Sequence, residues 1–105
     1  MRDEVKKKIE GYIRDNRVLL FMKGTKQFPQ CGFSARAVEA LKRSGAEFET
    51  VNVLADPEIR EGIKEFSNWP TIPQVYIDGQ FVGGSDIVLE LFQSGELAKM
   101  VKPQG

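Results

Sequence analysis

Five consecutive apolar residues, Val18-Leu19-Leu20-Phe21-Met22, restrict this chain to a small set of architectures. A strand with one wet face alternates apolar and polar side chains. An unbroken run reads as a strand buried on both faces, so a layer must cover each side of its sheet. The flanking sequence supplies helices for those layers. Residues 3–16 put Val5, Ile9, Tyr12 and Ile13 on one stripe among Lys and Glu. Residues 32–44 do the same with Ala37, Val38 and Leu41, and Gly45 is the stop.

Further along, Phe48, Val51 and Val53 mark a second strand. Asp56-Pro57 opens a helix with Asp as N-cap and Pro at the first helical position, and Ile59, Ile63 and Phe66 form its apolar face. Trp69-Pro70-Thr71-Ile72-Pro73 reads as a turn. Gln74–Ile77 and Gln80–Val82 flank Asp78-Gly79, a favoured two-residue hairpin turn. Gly83-Gly84-Ser85-Asp86 leads into a helix through Ile87, Val88, Leu91 and Phe92. A short tail helix carries Leu97, Met100 and Val101. The order α β α β α β β α begins with a right-handed parallel crossover and closes with a hairpin. It predicts an α/β fold of thioredoxin-like architecture: a mixed four-stranded sheet with helices on both faces, in a single domain over residues 1–105.

Charge and composition narrow the function. Fifteen Lys plus Arg balance fifteen Asp plus Glu, which argues against a nucleic-acid partner held by bulk attraction. No apolar run approaches the ~20 residues of a membrane span, so no membrane association is expected. The N-terminus, Met1-Arg2-Asp3-Glu4, turns acidic at once, unlike a transit peptide. A reducing compartment suits a chain with one free cysteine. The expectation is a bacterial cytoplasm, or an organelle interior (plastid stroma or mitochondrial matrix) if a transit peptide has been removed.

The single cysteine, Cys31, and the absence of histidine exclude an internal disulfide, a zinc finger and a Cys–His catalytic pair. Cys31 follows a Pro-containing loop, Lys23 to Gln30, and begins a helix. Free N–H groups and partial positive charge at a helix N-terminus favour thiolate over thiol. Lys23, Lys26 and Arg36 lie close by in sequence and add to that expectation. The alternative is a small buried core residue, but the loop-to-helix junction lacks the periodicity of a core.

Cys31-Gly32-Phe33-Ser34 resembles the signature of the monothiol, CGFS-type glutaredoxins. Lys23-Gly24-Thr25, Trp69-Pro70-Thr71-Ile72-Pro73-Gln74 and Gly83-Gly84-Ser85-Asp86-Ile87 sit in that family's order and spacing, and the resemblance spans about residues 4–102. It implies that Cys31 is both the redox-active thiol and the metal ligand. It implies a glutathione site in which Lys23 and Arg60 hold the glycyl carboxylate. Ile72 would pair main chain to main chain with the glutathione cysteine, and Pro73 resembles the family's cis proline. The N–H groups of Ser85 and Asp86 would take the γ-glutamyl carboxylate, and the Asp86 side chain its ammonium. Phe33, Thr71 and Gly84 complete the implied contacts. Without the resemblance, Ser85 and Asp86 read as plain N-caps, Lys23 and Arg60 as solvated charges, and Trp69 as a packing residue. Phe33 reads equally as core or pocket wall.

Ser34 stands where dithiol relatives have a second cysteine, and Ser85 stands where many monothiol relatives have one. The chain therefore has no resolving thiol. Two activities fit. In the first, the chain carries and transfers a [2Fe–2S] cluster in iron–sulfur assembly. The cluster is bridged between two chains by two Cys31 thiolates and two glutathione thiolates. The resemblance adds BolA-like proteins and client apo-proteins as partners. In the second, Cys31 is a monothiol oxidoreductase that removes glutathione from mixed disulfides, with at most weak activity implied.

Overall fold

The computed structural model describes residues 1–103 and follows the expected element order. The elements are α1 (Asp3–Asp15), β1 (Val18–Met22), α2 (Gly32–Arg43), β2 (Glu49–Asn52), α3 (Pro57–Ser67), β3 (Gln74–Ile77), β4 (Gln80–Gly83), α4 (Ser85–Gln93) and α5 (Glu96–Val101). The sheet runs β2-β1-β3-β4. β1 pairs parallel with β2 and antiparallel with β3, and β3 pairs antiparallel with β4. This is the thioredoxin-like arrangement.

All five residues of β1 are buried. Alternation along the strand divides them between two cores. Val18, Leu20 and Met22 join Ala37, Val38 and Leu41 of α2, Val88 of α4 and Leu97 and Val101 of α5. Leu19 and Phe21 join Val5 and Ile9 of α1, Ile59 and Ile63 of α3, and Tyr76 of β3. Burying one large apolar side chain is worth about 1.5–3 kcal/mol. Among the described residues, no helix is long and apolar enough to cross a membrane.

Element ends moved where side chains bond to backbone. α1 stops at Asp15 rather than residue 16, because Asn16 is extended and its amide donates to the Tyr12 carbonyl at 2.9 Å. α2 ends at Arg43, and Ser44 is its C-cap. β2 is Glu49–Asn52, so Phe48 and Val53 flank it. Asp56 caps α3 as expected, accepting from the Ile59 N–H at 3.2 Å, and Pro57 is the first helical residue. Asp78 and Gly79 both have positive φ, 53° and 79°, the geometry of a type I′ hairpin.

Gly62 gave no signal in the sequence, yet it sets the spacing of α1 and α3. A Cβ there would lie 2.7 Å from a Val5 methyl carbon and 3.3 Å from Ile9 Cδ1. Gly62→Leu must therefore wedge the two helices apart. The expected loss, about 2–3 kcal/mol for overpacking, is measurable by urea denaturation. Full stability in that variant would refute the close packing.

Candidate functional site

A cleft of about 440 Å³ opens beside the C-terminal end of β1. Three segments meet there: the β1–α2 loop with Cys31, the α3–β3 connection, and the start of α4.

Cys31 is the N-cap of α2, half-buried and extended, and its side chain makes no capping bond. The Ser34 N–H, hydrogen-bonding to the sulfur, lowers its pKa most. The Phe33 N–H, the Lys23 ammonium and the Ser34 hydroxyl act in the same direction, and burial opposes them. Of the three basic residues near it in sequence, Lys23 is the one among the main influences on the thiol. Lys26 turns away, donating to the Phe48 carbonyl with its ammonium 4.2 Å from the Phe48 ring centroid. Arg36 lies over the Phe33 ring at 5.7 Å.

The loop before Cys31 is tied down at several points. Gln30 N–H donates to the Lys23 carbonyl at 2.9 Å, and Thr25 and Phe28 exchange backbone bonds at 3.1 and 3.2 Å. Gly24 sits at φ +96°, and a Cβ there would lie 2.5 Å from the Gln30 nitrogen and 2.6 Å from the Phe28 oxygen. Only glycine fits such a corner. Ser34, fully buried, accepts the Lys23 N–H through its hydroxyl at 3.1 Å.

The α3–β3 connection is held by Gln74, also fully buried. Its amide donates to the carbonyls of Trp69 and Thr71 at 3.2 Å each. The Ile72–Pro73 peptide bond is cis. Gly84 is the N-cap of α4, and a Cβ on it would sit 3.4 Å from the Pro73 oxygen. Ser85 and Asp86 are therefore the first two helical residues rather than N-caps, and no side chain caps that end. Their N–H groups lie in the turn that has no intrahelical acceptor.

Lys23, Cys31, Phe33, Thr71, Ile72, Pro73, Gly84, Ser85 and Asp86 all line this one cleft. Arg60 does not. It lies on α3 one turn before Lys64, which does line it. The Arg60 Nε is buried and has no hydrogen-bond partner among the described residues. Lys64 carried no signal in the sequence, since a lysine on a helix is a solvated charge by default. Trp69 both packs against Phe81, at 5.8 Å between centroids, and lines the cleft. Phe33 is a wall residue, 54% exposed, and with Trp69 and Ile87 it gives the cleft an exposed apolar rim.

The fold and a half-buried thiol at a helix start define a thiol protein of the thioredoxin-like class. The family model described as Glutaredoxin matches residues 18–82. The chain is 59% identical over 102 residues to an uncharacterized monothiol glutaredoxin, ycf64-like, of Synechocystis, covering 97% of this chain and 95% of that one. It is 51% identical over 102 residues to the mitochondrial monothiol glutaredoxin-5 of Saccharomyces cerevisiae, covering 94% of this chain and 68% of that one. Among solved structures it resembles reduced poplar apo GrxS14, with a TM-score of 0.81 and 52% identity over 92% of this chain and 89% of that one. The chain belongs to the glutaredoxin family, and the Synechocystis and Saccharomyces cerevisiae relatives are named monothiol glutaredoxins.

A depressed pKa predicts how alkylation depends on pH. The rate of Cys31 with iodoacetamide should reach half its maximum below the ~8.5 of an ordinary thiol. Lys23→Ala should move that midpoint upward, whereas Lys26→Ala should leave it in place. The linkage has the matching sign. The thiolate's contribution to stability is complete above the unfolded thiol's pKa and is lost as pH falls through the folded value. Equal shifts from both lysine variants would contradict the geometry.

Proposed function

We propose that the chain binds glutathione in this cleft and carries a [2Fe–2S] cluster for transfer to apo-proteins, the cluster being bridged between two copies. The observation that carries the reading is the single cysteine, half-buried on the wall of a cleft with cationic groups and a free helix N-terminus. Such a cluster takes four ligands, normally thiolates. Two chains supply two and two glutathiones the rest, in a two-fold symmetric assembly.

Glutathione suits this cleft chemically. Lys23 and Lys64, which line the cleft, receive the glycyl carboxylate, and Arg60, one turn before Lys64, is the further cation that the resemblance implies. The main chain at Ile72, after Thr71 and before Pro73, pairs with the peptide. Ser85 and Asp86 N–H groups donate to the γ-glutamyl carboxylate, the Asp86 carboxylate accepts from its ammonium, and Phe33 and Gly84 border the chain of the ligand. The apolar rim of Phe33, Trp69 and Ile87 suits a face that a second molecule covers. That molecule is a second copy in the cluster-bound state, or a client or BolA-like partner, as the resemblance implies. The compartment under this reading is reducing, a bacterial cytoplasm or an organelle interior.

The lowered pKa and partial exposure of Cys31 favour a second reading: glutathione-dependent removal of glutathionyl groups by a monothiol cycle. The deciding measurement is iron, acid-labile sulfide and glutathione per chain in protein reconstituted without oxygen. About one cluster and two glutathiones per two chains is expected, with Cys31→Ser binding none. A colourless wild-type protein that turns over glutathionylated substrate rapidly would replace the first reading with the second.

A further inference from the structure

Asn52 is the last residue of β2 and has no role in the site described above. Its side-chain oxygen accepts two backbone N–H groups from two different segments, Gly24 at 2.9 Å and Leu54 at 3.0 Å. Gly24 begins the loop that ends at Cys31 and directly follows Lys23. Leu54 begins the turn into α3, the helix of Arg60 and Lys64. That turn continues from the same residue. The Asn52 carbonyl accepts the Ala55 N–H at 3.2 Å, the Val53 carbonyl accepts the Asp56 N–H at 3.4 Å, and Asp56 then caps α3.

The β ladder adds a third constraint. Asn52 lies beside Met22 in the parallel register, and Val53 N–H donates to the Met22 carbonyl at 2.9 Å. The two strands thus end side by side, and the Asn52 oxygen joins the second N–H group of each segment that diverges from them. An amide oxygen has two lone pairs, so it can accept both without loss of either. A hydrocarbon side chain would leave both N–H groups without this acceptor.

We propose that Asn52 is a positioning residue for the cationic end of the cleft. It holds Lys23, through Gly24, in fixed relation to α3. With the Ser34 hydroxyl on the Lys23 N–H, two consecutive backbone donors of the corner are fixed from opposite sides, one from β2 and one from α2. The carboxylate-binding lysines sit on separate segments, and Asn52 couples them. This inference rests on the glutathione reading for its consequence, but the clamp has its own readout.

The test uses Asn52→Ala, which removes the acceptor, and Asn52→Asp, which keeps it. Amide hydrogen exchange at Gly24 and Leu54 reads the clamp, and titration of the reduced protein with reduced glutathione reads the site. In Asn52→Ala the two amides should lose protection while Leu20 and Val75 in the sheet keep theirs. Glutathione affinity should fall about tenfold, the scale of one or two lost hydrogen bonds. Asn52→Asp should restore protection at both amides. Unchanged protection at Gly24 and Leu54 in Asn52→Ala would overturn the clamp. Uniform loss of protection across the sheet would also overturn it, because the role would then be general stability. Wild-type glutathione affinity in Asn52→Ala would overturn the positioning role. A wild-type protein that binds no glutathione would defeat the reading of the cleft, while protection at the two amides still judges the clamp.

Discussion

A strand buried on both faces has no surface of its own to offer to solvent. In β1 both rows of side chains are committed to cores, so whatever the strand contributes to chemistry must leave from its ends. Its C-terminal end carries Lys23 and the loop to Cys31. β2, running parallel, ends at the same edge, and β3, running antiparallel, begins there with Gln74 just after the cis proline. Three connections thus gather at one sheet edge without any long-range attraction between them. The topology alone brings the thiol loop, the Trp69–Pro73 segment and the turn into α3 together. β4 then returns the chain so that α4 starts beside Pro73.

Gathering the segments is not enough to make a site, because loops at a sheet edge have many conformations. Here polar side chains remove that freedom. Gln74, Ser34 and Asn52 each bond to backbone. Two of them, Gln74 and Ser34, are completely buried, where an unmade bond is costly and a made one is well defined. The functional groups that remain, the Cys31 sulfur, the Lys23 ammonium and the first N–H groups of α4, are those left free to meet a ligand. Net charge zero says nothing about such a place: the balance of fifteen against fifteen leaves Lys23 and Lys64 lining the cleft with Asp86.

The sequence and the structure agree most where a physical signal is local. The apolar run of β1, the Asp56-Pro57 helix start and the Asp78-Gly79 turn each declare themselves within a few residues, and all three are present as read. Nine of the ten residues that the resemblance put forward share a cleft. What stayed hidden depends on direction in space. Lys26 and Lys23 are both loop lysines in sequence, but one reaches the Phe48 carbonyl and the other lines the cleft beside Cys31. Arg60 and Lys64 lie on one helix face, and no pattern says which of them borders the cleft. Ser85 and Asp86 have the composition of N-caps, but the backbone assigns that place to Gly84. Gly62 acts on Val5 and Ile9 and Asn52 on Gly24, neighbours far away in sequence, and only the Asn52–Leu54 bond is local turn chemistry.

The same environment bears on both proposed activities of Cys31. N–H groups that lower a thiol's pKa make it a better metal ligand, since only the thiolate binds. They also raise the fraction ready to attack a disulfide, yet they lower the intrinsic nucleophilicity of each thiolate. The electrostatics of the helix start therefore do not separate cluster carriage from disulfide exchange. The count of thiols does more. A dithiol protein can resolve a mixed disulfide within itself, whereas this chain must wait for an outside thiol. Cluster carriage has no need of a resolving thiol. It needs a partner thiolate held beside Cys31, which the proposed glutathione would supply from this cleft. A bound glutathione would serve either activity, as a cluster ligand in one and as the transferred group in the other, so the cleft by itself does not choose between them.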